Sequence, residues 1–243
     1  MKLWAWLLLV TSPLLSQNPR TAGGQYARQA LTYEEFDAYA AVVEAPDPQR
    51  QLKAAESFKQ LYPDSELLVF VYEHEVDALR GLKRLAAARA SAGQALKLTP
   101  NNTKVMLALA QLLADDPDPP DEVRSSEVQQ LVARCLEELG RLKTPRTVSP
   151  KKWEETRSKL ESDAHAANGL MAARSGRTAF AIREFEAAVA LNSSPDGAQH
   201  FYLGHLYAVA GRIEEARAML AVAEKLGPER VRKLAVAAIS KLP

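Results

Sequence analysis

A chain of 243 residues, 47% of them apolar, can build one elongated repeat domain or one to two globular domains with a real core. Its 31 lysines and arginines balance 30 aspartates and glutamates, so the net charge of +1 offers no basic field for nucleic acid. Alanine, leucine, glutamate, arginine and lysine are abundant and no sustained alternating stretch occurs, which favours helices over strands.

The first residues read as an export signal. Met1-Lys2 is a short basic start, Leu3–Val10 an unbroken apolar core, and Thr11–Ser16 a small and polar segment suited to cleavage after Ser16. The apolar stretch is too short to span a bilayer well, so no stable membrane span is expected once residues 1–16 are removed. Residues 17–30, with Pro19, Gly23 and Gly24, read as a flexible lead-in. This places the protein outside the cytoplasm, periplasmic or extracellular. Cys135 is the only cysteine, so no intrachain disulfide can form. It falls on the stripe Leu131, Cys135, Leu139, Leu142, which gives it a packing role.

A helical domain is expected over 31–243. Thr32-Tyr33-Glu34-Glu35 is a capping box and opens a helix through Val43. Asp47-Pro48 starts the next, with Asp as N-cap and Pro in the first turn. Glu66–Leu79 is a third helix, apolar enough to be central, and Leu85–Leu98 reads as the second half of a helical hairpin. Asn101–Ala114 follows. The run Asp115–Asp121, acidic and rich in proline, cannot be helical and reads as a solvated surface loop. Glu122–Leu142 is a longer helix, after which Ser149-Pro150 and Ser194-Pro195 are expected to cap the helices that follow them. The tail Pro228–Leu242 carries Val231, Leu234, Ala235, Ala238 and Leu242 on one face and suits a capping helix.

The clearest organisation lies between His165 and Pro228. Gly169, Gly176, Ala181 and Ala188 recur 35 residues later as Gly204, Gly211, Ala216 and Ala223. A period of this length with small residues at equivalent points marks stacked helical hairpins, here 162–195 and 197–230. Leu203-Gly204, Tyr207, Gly211, Ala216, Leu220, Ala223 and Pro228 resemble the tetratricopeptide repeat (TPR) family, with His200 where that family has Trp. In the preceding copy, Asn168-Gly169, Gly176, Ala181, Phe185 and Ala188 match, while Ala172 and Ser193 depart from the pattern. Phe58–Ser65 is similar to the helix–turn junction common in exported bacterial TPR proteins.

The resemblance implies an all-α fold, a right-handed superhelix of antiparallel helix hairpins forming a TPR-like α-solenoid. It implies a protein or peptide ligand bound on a groove lined by the first helix of each hairpin. Mapped onto this sequence, that groove would present Lys104, Leu107, Gln111, Asp163, Arg174, Phe201 and His205.

Residues that could carry chemistry are few. Glu73-His74-Glu75 lacks the second histidine of a zinc-protease helix, and no phosphate-binding loop, dinucleotide fingerprint, paired-cysteine site or nucleophile elbow is present. His165 and His200 sit where the repeat places a large packing residue. No cofactor, metal or catalytic residue is therefore assigned. The reading is an exported interaction scaffold of the cell envelope and not an enzyme. The alternatives are a self-associating architectural protein or, further off, an enzyme whose site is assembled from scattered side chains.

Overall fold

The computed structural model describes residues 28–243, so the expected export signal and residues 17–27 of the lead-in lie outside the described residues. The described chain is helical, without strands: α1 (Tyr33–Val43), α2 (Pro48–Leu61), α3 (Leu68–Gly81), α4 (Leu85–Leu98), α5 (Thr103–Ala114), α6 (Glu122–Arg141), α7 (Pro150–Arg174), α8 (Thr178–Leu191), α9 (Gly197–Val209), α10 (Ile213–Leu226) and α11 (Glu229–Ile239). They fall into two compact units. One runs up to Met106 and takes in 141–149; the other comprises 107–140 and 150–243.

In the first unit, local chemistry starts the helices where the sequence places them. The Thr32 hydroxyl accepts from the Glu35 amide at 3.1 Å, and Glu35 reaches back to the Leu31 amide at 2.6 Å. Glu35 also accepts from the Ser65 hydroxyl, so one buried carboxylate ties the start of α1 to the turn before α3. Asp47 caps α2 by accepting from the Arg50 amide at 2.9 Å, with Pro48 as the first helical residue. Tyr39, Val42, Ala55, Phe58, Leu67, Leu68 and Val71 form the core between these helices, with Tyr39 and Phe58 edge to face. Helix α3 begins two residues later than the sequence implies. The Ser65 hydroxyl accepts from the Leu67 amide at 2.9 Å and holds 65–67 in a turn. Arg28, at the end of the expected lead-in, donates to the Thr99 hydroxyl at 2.8 Å.

In the second unit the two clear hairpins are α7/α8 and α9/α10. The small residues do what the 35-residue offset implies. A Cβ on Gly169 would stand 2.9 Å from the Phe185 ring, and one on Gly204 would stand 2.8 Å from Leu220. The missing side chain is the seat of a large one from the facing helix, and Phe185 and Leu220 are themselves 35 residues apart. Gly176 and Gly211 turn the hairpins at φ +72 and φ +76, a region that costs a residue with a Cβ about 1–2 kcal/mol.

The same turn occurs once more, in the first unit. Arg84, Arg177 and Arg212 each precede the second helix with φ between −89 and −85 and ψ between 60 and 68. Their amides bond back to Leu79, Ala172 and Tyr207 at 2.8, 2.9 and 2.9 Å. In α3/α4 the left-handed position is held by Lys83, at φ 59. Counting from that residue, Val76 and Ala92 stand where α9/α10 has Gly204 and Leu220. Both are buried, so the large and small partners have changed helices.

Three further details differ from the sequence reading. Ser194-Pro195 does not cap α9: Asp196 does, accepting from the amides of Ala198 and Gln199 at 2.7 and 3.2 Å, while the Ser194 amide turns back to Asn192. The acidic loop is tied down. Arg124 pairs with Asp116 at 3.4 Å and donates to the Asp118 carbonyl at 2.6 Å, and Arg174 donates to the same carbonyl at 2.8 Å. On α11, Leu234 faces solvent, 45% exposed, while Val231, Ala235, Ala238, Ile239 and Leu242 pack towards Leu220 and Ala223. Leu234 lies at the edge of the stripe, about 100° from Ala235.

Candidate functional site

The residues expected to line a groove meet different fates, each traceable to its element. Helix α5 is apolar on almost every side, and a helix of that kind is buried all round. Leu107 is accordingly 6% exposed, and its side chain is not offered to a partner. Gln111, on the same helix, is half-buried. Lys104, at the start of α5, is held by Asp77 at 3.1 Å and by the buried Glu73 at 3.5 Å. Asp163 of α7 pairs with Lys159 one turn before it, at 3.0 Å. Arg174 is consumed by the fold: besides Asp118 it donates to the Ala114 carbonyl at 2.6 Å, closing the acidic loop.

Helix α9 presents the most accessible of these residues. Its buried face consists of Gln199, His200, Leu203, Gly204, Leu206 and Tyr207. On the other side Tyr202 is 37% exposed, Val209 is 63% exposed, and His205 is exposed. Ala198, Tyr202, His205 and Val209 follow helical spacings of four, three and four, so they share one stripe. His205 stacks on Phe201 with ring centroids 6.4 Å apart and planes at 12°. Phe201 itself is half-buried against the Leu220, Ala223, Ala235 cluster, so it supports the surface as much as it forms it. Tyr202 stacks on the buried Phe185 ring at 5.4 Å and 16°. Burial chiefly, then Asp115, holds the Tyr202 hydroxyl above the usual phenol range, while Arg230 and Arg174 act in the other direction. The two rings of the stripe, Tyr202 and His205, are therefore each fixed by stacking on a neighbouring ring. Tyr202 and Val209 were missed in the sequence, although the spacing that includes them is the same one that picks out His205.

Elsewhere the polar groups are occupied with structure. The Tyr207 hydroxyl donates to Glu186 at 2.7 Å, and Arg212 lies 4.0 Å over the Tyr207 ring, which fastens α8 to α9 and α10. Burial and the Glu186 bond push the Tyr207 hydroxyl up to about 12. Ser162 donates to the Ala188 carbonyl at 2.8 Å and accepts from Gln199 at 3.0 Å. His200 packs, 7% exposed, with Nδ1 donating to the Asp196 carbonyl at 2.7 Å. His165 is different: it meets Glu184 at 3.0 Å instead of filling a purely apolar niche. Cys135 is buried as its stripe implies, and burial pushes its thiol up to about 12, far from a reactive thiolate. Among the described residues no three His, Cys, Asp or Glu side chains gather as metal ligands, and no helix is long and apolar enough to cross a membrane.

No family model matches the chain, and no curated protein matches it. Solved structures do. A thermophilic TPR protein from Thermus thermophilus aligns with 85% of this chain and 99% of its own, at TM-score 0.55 and 16% identity. MamA from Desulfovibrio magneticus RS-1, residues 41 to the end, aligns with 86% of this chain and 98% of its own, at TM-score 0.56 and 13% identity. BtubC from P. vanneervenii aligns with 88% and 94%, at TM-score 0.51 and 17% identity. At these identities the likeness is one of fold. Together with the three hairpins of common turn geometry, it identifies an all-α, TPR-like α-solenoid.

Proposed function

We propose that this protein is an exported interaction scaffold of the cell envelope that binds a segment of another protein across the outward stripe of α9. The fold supports a protein-binding scaffold in general, since stacked hairpins expose one helix face each. One observation carries the choice of face: Tyr202, His205 and Val209 stand exposed together on a helix whose other side is firmly packed. Exposed aromatic side chains held rigid from beneath suit a binding hot spot, because little conformational entropy is lost when a partner covers them. Gln111 and Asp163 remain rim positions in this reading, and Arg174 contributes through the loop that it holds. Export rests on the sequence of residues 1–16.

The test is affinity capture from an envelope fraction with the full chain, read by mass spectrometry, beside the doubly substituted His205→Glu, Val209→Glu protein. Both side chains are exposed, so helix content should be unchanged by circular dichroism. A partner retained by the parent and lost by the variant is expected. A partner held equally by both removes α9 from the interface, and an unprocessed protein found only in the cytoplasm removes export.

A further inference from the structure

The first and last helices of the described chain carry complementary open faces, and we propose that α11 of one copy docks on the α1/α2 hairpin of a second copy. The contact is heterologous: two different surfaces meet, one from each copy.

Helix α1 packs through Glu35, Tyr39 and Val42 towards α2 and α3. Its opposite side carries Glu34, Asp37, Ala41 and Glu44, all exposed. Residues 31–49 contain five acidic side chains and no lysine or arginine. Beside this acidic edge, Ala38, Ala41 and Ala45 of α1 and its following turn face Ala54, Ser57 and Phe58 of α2 across an open apolar cavity of about 380 Å³. Three alanines on the wall of the cavity let another helix come close.

Helix α11 supplies the counterpart. It turns Val231, Ala235 and Ala238 inward, which leaves Arg230, Leu234 and Ala237 on an exposed stripe of spacings four and three, with Lys241 exposed in the turn that follows the helix. Arg232 and Lys233 flank it, and Lys233 pairs with Glu229 at 2.7 Å. No carboxylate pairs with Arg230, Arg232 or Lys241 among the described residues. The stripe thus has one exposed leucine, a small residue beside it and a basic charge at either end. Laid along α1, Leu234 enters the cavity and Arg230 and Lys241 meet the Glu34, Asp37, Glu44 edge. Arg50 and Lys53 on the α2 side of the cavity disfavour the reverse placement. A contact of this kind joins copies head to tail, in a ring or in an open series, and its charged component weakens with salt.

Sedimentation of the full chain over a range of concentrations, at low and at high salt, tests this directly. The parent protein should gain mass with concentration at low salt and lose that gain at high salt. Leu234→Glu should be monomeric, and so should the doubly substituted Asp37→Lys, Glu44→Lys protein. All three positions are exposed, and circular dichroism checks that the helices persist. The mixture of the two variants decides the matter: each keeps one live face, so together they should form a dimer that grows no further. A parent that stays monomeric overturns the proposal. So does association unmoved by the substitutions, or association lost with Leu234→Glu but kept in the α1 variant, which would mean α11 pairing with itself. Association seen only after deletion of residues 1–27 would put the chain's own leading segment on α1, and that overturns it as well.

Discussion

Lys83 is the residue most out of keeping with its position. It holds a left-handed backbone at φ 59 where the equivalent turns use Gly176 and Gly211. Lys83→Gly should stabilise the protein by up to about 1 kcal/mol, the relief of strain being partly offset by the freedom glycine gains when unfolded. Gly211→Ala should cost about 1 kcal/mol or more for the converse reason, and urea unfolding of the two variants checks both signs. Glu73 is the other revealing residue. It is buried, accepts from Asn102 at 2.6 Å, and through Asn102 supports the cap on the Val105 amide that starts α5. Burial raises its pKa above the ordinary carboxylate value, outweighing the opposing pull of Lys104 and Asn102. The folded chain therefore holds this proton more tightly than the unfolded chain does. Its stabilising contribution is complete below about pH 4.3 and is lost as pH rises through the raised folded value. Glu73→Gln keeps an acceptor for Asn102 and should remove that decline, whereas Glu73→Ala leaves Asn102 unpartnered and should cost about 2–3 kcal/mol. Stability measured at two pH values on either side of the raised pKa separates them. Neither residue could be recognised from sequence alone. Nothing marks a lysine as left-handed, and the link between Glu73 and Asn102 spans 29 residues.

At the scale of the element, the helices were legible because their ends are chemically marked. Thr32, Asp47 and Pro150 stand where helices begin, and α4 runs over the residues that its alanine spacing implies. The hairpins α7/α8 and α9/α10 were legible because both place glycine opposite a large side chain. Hairpin α3/α4 was only half legible, since Val76 and Ala92 meet the same packing requirement with the sizes reversed. That reversal can be tested. Leu220→Ala should open a cavity in α9/α10 and cost about 2–5 kcal/mol, because Leu220 is wholly buried. Adding Gly204→Val to that variant reproduces the α3/α4 arrangement and should recover a substantial part of the loss. Gly204→Val alone should be worse than either, because its Cβ would collide with Leu220 at 2.8 Å. Thermal unfolding of the three proteins orders them. The element that misled the sequence reading was α5. Its apolar residues point all round the helix, and the periodic template assigned Leu107 to a groove when composition already argued for burial.

For the whole molecule, the two units are each held by their own packed hairpins, and the likeness to solved TPR-type structures extends over most of the chain. Fold class was therefore readable from a third of the sequence, where the repeat is regular. The candidate surface was less so. Of the seven residues first assigned to it, the structure leaves His205 as the clear exposed member, adds Tyr202 and Val209, and gives Phe201 and Arg174 to the fold. A repeat template locates positions, but whether a side chain is free depends on contacts made by the acidic loop and by α11, which lie outside the template. The central claim is that the outward stripe of α9 is where a partner binds. A photoreactive residue placed at His205, with a second protein carrying it at Lys225 on the exposed side of α10, tests that claim most directly in living cells. The account requires a discrete adduct with another protein from position 205 and none from position 225. Equal labelling from both positions, or from neither, would contradict it.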